Sequence, residues 1–211
     1  IWKAKTPPQA TTPVQGTYQH TITTYAPTIP KKALAFSKKE IQHITIGTAL
    51  VMAVGISIVL DVSTNITIAL TLAALFTASF LLHEIAHKIA AQHYGLWAEF
   101  RLTLWGAVIT LISIFSPLFK LISPGAVMIS GSFVDKKIMG KTAIAGPATN
   151  IILATILGTA TLLVPNSIIS FILLYSAYIN AFLATFNLIP FGILDGQKIF
   201  FWNKLIWTLA F

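Results

Sequence analysis

Residues 66–95 read ITIALTLAALFTASFLLHEIAHKIAAQHYG, and the reading of this stretch decides the fold. From Ile66 to Leu82 it carries no charge. His83, Glu84, His87 and Lys88 then appear within an apolar run that continues to Tyr94 and meets a helix stop at Gly95. At about 1.5 Å per residue such a helix exceeds the roughly 30 Å of a bilayer's hydrocarbon core. It reads as a membrane span whose last third holds three groups that water would rather keep. Either these have local structural partners, or they hold a metal that makes their burial worthwhile.

Composition supports the membrane reading. The chain has 211 residues, 55% hydrophobic and 9% charged, with a mean hydropathy of +0.80. An ordinary soluble domain is about a quarter charged. The formal net charge is +8, but the basic residues form short clusters beside apolar runs, not a face interleaved with aromatics. No nucleic-acid partner is expected, and the clusters read as topology signals. The absence of cysteine excludes disulfides and thiolate metal sites, so a metal would need His, Asp or Glu.

Outward from the deciding stretch, residues 1–40 form a Thr- and Pro-rich polar linker with a basic end, and residues 41–211 a membrane domain. Lys31, Lys32, Lys38 and Lys39 precede a first span over His43–Leu60. After the second span comes an apolar run, Leu102 to Phe119, and then LISPGAVMISG (121–131), whose Pro124, Gly125 and Gly131 break any helix and whose alternation suggests a strand or re-entrant loop. Ile144–Val164 and Ile168 to about Leu188 make further spans, and another helix starts near Gln197. The expected architecture is an all-α polytopic bundle of about five to six transmembrane helices with a re-entrant hairpin or short membrane-embedded strand. Trp97, Trp105, Trp202 and Trp207 read as interfacial anchors. The basic clusters share one side if residues 102–131 enter and leave the membrane as a hairpin, which places the HEIAH end in the cytoplasm. The chain opens on Ile1 and stops inside LIWTLAF, as a processed or partial chain would.

In HEIAH the histidines are four apart, so both project from one helix face and can reach one ion. The adjacent Glu84 is then placed to act as general base on a water. The structural alternative pairs Glu84 with Lys88 at i+4, but ionisable residues within spans mark function by default. Catalytic zinc takes three protein ligands. One candidate third ligand is His93, at the spacing used by metalloproteases with a helix-breaking glycine between; here that position is Ala90, which continues the helix. The other is Asp195, in NLIPFGILDGQ after some twenty apolar residues, where Pro190, Gly192 and Gly196 interrupt the backbone. No glutamate follows residue 99, which argues against soluble zinc proteases with a downstream glutamate ligand.

HEIAH on a membrane helix, GPATN at 146–150, and NLIPFGILDG at 187–196 together resemble the site-2 protease family of intramembrane zinc metalloproteases, over about residues 66–200. The resemblance implies one zinc per chain held by His83, His87 and Asp195, with Glu84 as base. It implies that Asn150 lines the site and orients substrate or polarises the scissile carbonyl, the alternative being a polar residue that bonds between helices, and that SPGAVMIS, through Gly125 and Val127, is an embedded strand on which an unwound substrate pairs. The implied substrate is a transmembrane protein in the lipid bilayer, cut in or near its membrane segment. The rival reading is a membrane metal transporter or metal sensor using the same His/Asp site. Such proteins commonly carry internal repeats, and none is visible here.

Overall fold

A computed structural model describes residues 34–60, 65–116, 120–131 and 134–211. Most of the linker expected over residues 1–40 therefore lies outside the described residues. The described chain is mostly helical, and four of its helices are long and apolar enough to cross a membrane. These are α1 (Lys38–Leu60), α2 (Ile66–His93), the nearly continuous pair α4 (Lys136–Ala143) and α5 (Ala145–Ala160), and α6 (Ile168–Leu188). Large apolar side chains such as Ile46, Leu70, Leu82, Ile152 and Leu174 stand exposed on their outer faces, the pattern of helices solvated by lipid.

Among the described residues four candidate spans are found, against the five to six expected. The run from Leu102 yields only α3 (Leu104–Phe115), twelve residues, and the chain beyond Asp195 folds as two short helices, α7 (Asp195–Trp202) and α8 (Lys204–Ala210). Of the two, only α3 is an apolar helix, and it is too short to span. Each is cut short by its breakers: Ser116 ends α3 in extended backbone, and Asn203 ends α7 and caps α8 through Ile206 N–H.

The helix boundaries follow from local chemistry. Asn65 caps α2 by accepting from Thr67 and Ile68 N–H, and Gly95, at φ 69°, turns the chain after Tyr94. Gly95 releases the chain into β1 (Trp97–Leu102), a strand that composition did not announce. It pairs antiparallel with β2 (Gly125–Ser130), from Trp97 opposite Ser130 to Leu102 opposite Gly125. The strand expected in SPGAVMIS thus forms, with β1 as its partner.

Packing fixes this hairpin against the helices. Phe100 of β1 enters a core with Val51 of α1, Phe76 and Phe80 of α2, and Leu183 of α6; its ring meets Phe80 edge-on at 6.2 Å. The outer edge of β1 is closed by α1: Phe100 N–H donates to Glu40 Oε1 at 3.0 Å, and Leu102 N–H to His43 Nδ1 at 3.1 Å. Glu40, fully buried, also accepts from Lys88 Nζ at 2.5 Å, and Lys88 donates to the Ala35 carbonyl. Glu40 thus ties β1 and α1 to the helix that carries HEIAH. The Glu84–Lys88 pairing is not formed, because Lys88 Nζ is taken by Glu40 and the Ala35 carbonyl.

Candidate metal centre

Three elements bring the candidate ligands together. His83 and His87 lie one turn apart on the buried face of α2, and Asp195 opens α7 after the chain leaves α6 through Ile189–Leu194, with Gly192 at φ 64°. His83 Nε2 and His87 Nε2 are 3.0 Å apart, and Asp195 Oδ2 lies 3.4 Å from the first and 2.9 Å from the second. All three residues are buried. Donors about 2.0–2.1 Å from a tetrahedral ion stand roughly 3.3 Å apart, so this spacing suits one metal.

The other atoms of these side chains are already committed. His87 Nδ1 faces the Thr142 carbonyl at 2.9 Å, and a carbonyl only accepts; the ring is therefore protonated on Nδ1 and bare on Nε2. His83 Nδ1 lies 2.6 Å from Asn150 Oδ1 and is arranged likewise. Asp195 gives its second oxygen to Lys198 Nζ at 3.1 Å, one turn along α7.

The space beside the donors is left open by a glycine. A Cβ on Gly146, at the start of α5, would run into Nε2 of both His87 and His83. No other residue type permits α5 to approach the histidines this closely without filling the ligand face. The donor set, its tautomers and this clearance all fit zinc, and among the described residues His83, His87 and Asp195 form the group able to hold one ion.

A cavity opens on the site, lined by Glu84, the three ligands, Gly125, Val127, Ile129 and Asn187, with Phe80, Phe182 and Phe186 as apolar wall. Glu84 reaches into it from α2, and its Oε2 accepts from Val127 N–H at 3.1 Å. In an antiparallel pair, alternate residues direct their N–H and C=O to opposite edges. Val127 therefore shares its outward edge with Gly125 and Ile129, and this edge of β2 faces the cavity unpaired by any strand among the described residues.

Two candidates weighed from the sequence lie outside the cavity. His93 is exposed at the end of α2 with its ring against Tyr94, because the helix continues through Ala90 without a break. Asn150 is fully buried, does not line the cavity, and spends its amide on His83 and Asn180. It bonds between helices and supports the His83 ligand. Sequence reading passed over Gly146 and Lys198; the signal for the latter was its position three residues after Asp195, on the same helix face.

Over 133 residues the chain is 37% identical to a protein of Methanocaldococcus jannaschii named "Putative zinc metalloprotease", covering 62% of this chain and 69% of that protein. This chain belongs to that zinc metalloprotease family. No family model matches the chain, and no solved structure matches it. Kinship and geometry agree on the metal: the metalloprotease has one buried His83, His87, Asp195 group, and its cofactor is zinc.

Proposed function

We propose that this metalloprotease is an intramembrane peptidase of the site-2 protease type, cutting a membrane protein in or near its transmembrane segment. The observation that carries this reading is the position of the base: Glu84 stands between the ligand histidines on a helix long and apolar enough to cross a membrane and touches the open edge of β2.

A transmembrane helix hides each of its carbonyls in its own hydrogen bonds, so hydrolysis within a bilayer needs an unwound substrate. The edge of β2 at Gly125, Val127 and Ile129 offers main-chain donors and acceptors to such a strand. The opposite edge of the hairpin, sealed by Glu40 and His43, cannot. Zinc, when bound, supplies the Lewis acid that polarises a carbonyl and lowers the pKa of water. Glu84 takes a proton from the attacking water on its carboxylate and returns it to the leaving amine nitrogen. In this reading the α3 segment and the hairpin re-enter the membrane, and the HEIAH end faces the cytoplasm, on the side of the basic clusters.

The test uses single-span reporter proteins in vesicles, with casein as a soluble comparison. The reading expects reporter cleavage that is abolished by a zinc chelator, with casein left intact. Glu84→Gln should slow cleavage by about 10²–10⁴-fold while its zinc content stays at the intact level. Cleavage that survives in Glu84→Gln removes the base assignment, and zinc flux across the vesicle without hydrolysis of any reporter favours the transporter.

A further inference from the structure

We infer that Asn180, on α6, is a positioning residue that sets which nitrogen of His83 carries the proton, leaving the lone pair of Nε2 free for the metal. The inference rests on the ligand set proposed above and concerns a residue outside the HEIAH, GPATN and LDG motifs.

Asn180 is fully buried, 30 residues from Asn150 and 101 from Ser79 in the chain. Its Nδ2 donates to the Ser176 carbonyl and to Ser79 Oγ, each at 2.9 Å. The Ser176 carbonyl can only accept, so the Asn180 amide has a single orientation, with Oδ1 toward Asn150. There Asn150 Nδ2 donates to Asn180 Oδ1 at 2.9 Å. Asn150 is thereby oriented in turn, with its own Oδ1 toward His83 Nδ1 at 2.6 Å. An amide oxygen cannot donate, so His83 carries its proton on Nδ1 and keeps the lone pair on Nε2, the atom that faces His87 and Asp195.

A backbone carbonyl on α6 thus dictates, through two asparagines, the tautomer of a ligand on α2. His87 receives the same instruction directly from the Thr142 carbonyl. Without Asn180 the Asn150 amide is free to turn over. Its NH₂ group would then face His83, select the opposite tautomer and put a hydrogen where zinc needs a lone pair. Buried amides in apolar helices are costly unless every partner is met, which accounts for two asparagines being placed here as a linked pair.

The experiment compares the intact protein with Asn180→Leu, Ser79→Ala, Asn150→Ala and the Asn150→Ala/Asn180→Leu pair in detergent. It reads zinc affinity by competition with a chelating dye and the histidine tautomers of the metal-free protein by ¹⁵N chemical shift. Asn180→Leu should lose about 10- to 100-fold in zinc affinity, the range for groups that hold a ligand in place, and should shift His83 toward the Nε2-protonated form. Ser79→Ala leaves the Ser176 carbonyl in command and should match the intact protein. The double variant should be no weaker than Asn150→Ala alone, because Asn180 acts through Asn150; losses that add would show a general structural role and overturn the inference. Unchanged affinity in Asn180→Leu would also overturn it. Should Asn180→Leu not fold, Asn180→Asp decides, since a group of the same size that still accepts from Asn150 keeps His83 protonated on Nδ1; the opposite tautomer there sinks the relay. An intact protein that takes up no zinc refutes the ligand set itself, and the ¹⁵N readout still judges the relay separately.

Discussion

Asp195 divides its two oxygens, one to Lys198 and one to the histidines, and this division makes it a ligand and not merely a buried acid. Asp195→Asn replaces an anionic donor by a neutral amide. It should lower zinc affinity by on the order of a hundredfold or more, beyond the loss seen for groups that only support a ligand, whereas His93→Ala should leave zinc content unchanged. Metal analysis of the purified variants checks both, and a His93→Ala protein without zinc would move the site to the end of α2. Gly146 makes the complementary test, because there the change adds matter. The Cβ of Gly146→Ala would occupy the space facing Nε2 of both histidines, and overpacking of a tight site costs about 1–3 kcal/mol. The variant should therefore fold with a modestly lowered unfolding temperature yet bind little zinc. Normal zinc content in a folded Gly146→Ala protein would mean that the metal does not use that face. The HEIAH ligands and Asp195 were visible in the sequence because charge is rare in apolar runs and stands out. Gly146 was not, since the demand for a missing side chain arises only when α5 meets α2.

At the scale of elements, α2 and α6 were legible nearly to the residue from hydropathy, and the end of α2 from its stop glycine. β1 was not: AEFRL alternates apolar and charged residues, but over only five positions, and the strand owes its form to partners on both edges, β2 on one, Glu40 and His43 on the other. That dependence can be measured. Glu40→Gln removes the counter-charge of Lys88 at a site where both side chains are at most 2% exposed. Stranding one member of a buried pair costs about 3–5 kcal/mol. The variant should unfold at clearly lower temperature in detergent, and amides of β1, Phe100 foremost, should exchange faster. Because an apolar replacement of both partners avoids the stranded charge, Glu40→Met with Lys88→Met should recover most of the loss. Equal destabilisation in the single and double variants would show that the pair's value lies in packing alone.

For the whole molecule, the metal site is also a structural joint. α2 runs through the bundle, tied to α1, α5 and α6, whereas α7 begins only after the chain has left α6 in an irregular turn. Asp195 is the polar tie between α7 and the histidines. α7 otherwise leans on α4, where Trp202 covers Gly140, and α8 is pinned by Trp207 Nε1–H donating to the Leu188 carbonyl at 2.8 Å. A ligand that binds only the folded state stabilises it by RT ln(1 + [L]/Kd), about 4 kcal/mol at a thousandfold excess over Kd. Most of that energy would be felt where the chain is tethered least. Chelation should therefore lower the unfolding temperature and, below it, speed hydrogen exchange chiefly in Asp195–Trp202, with α1 little affected. Restoring zinc should reverse both effects, and Asp195→Asn should show the loosened α7 whether or not zinc is added. Exchange that rises evenly through α1 and α7 on chelation would mean that the ion holds the bundle as a whole and that α7 is not the hinged part. The sequence placed a carboxylate opposite HEIAH without revealing this joint, because a joint is a property of two elements and the path between them.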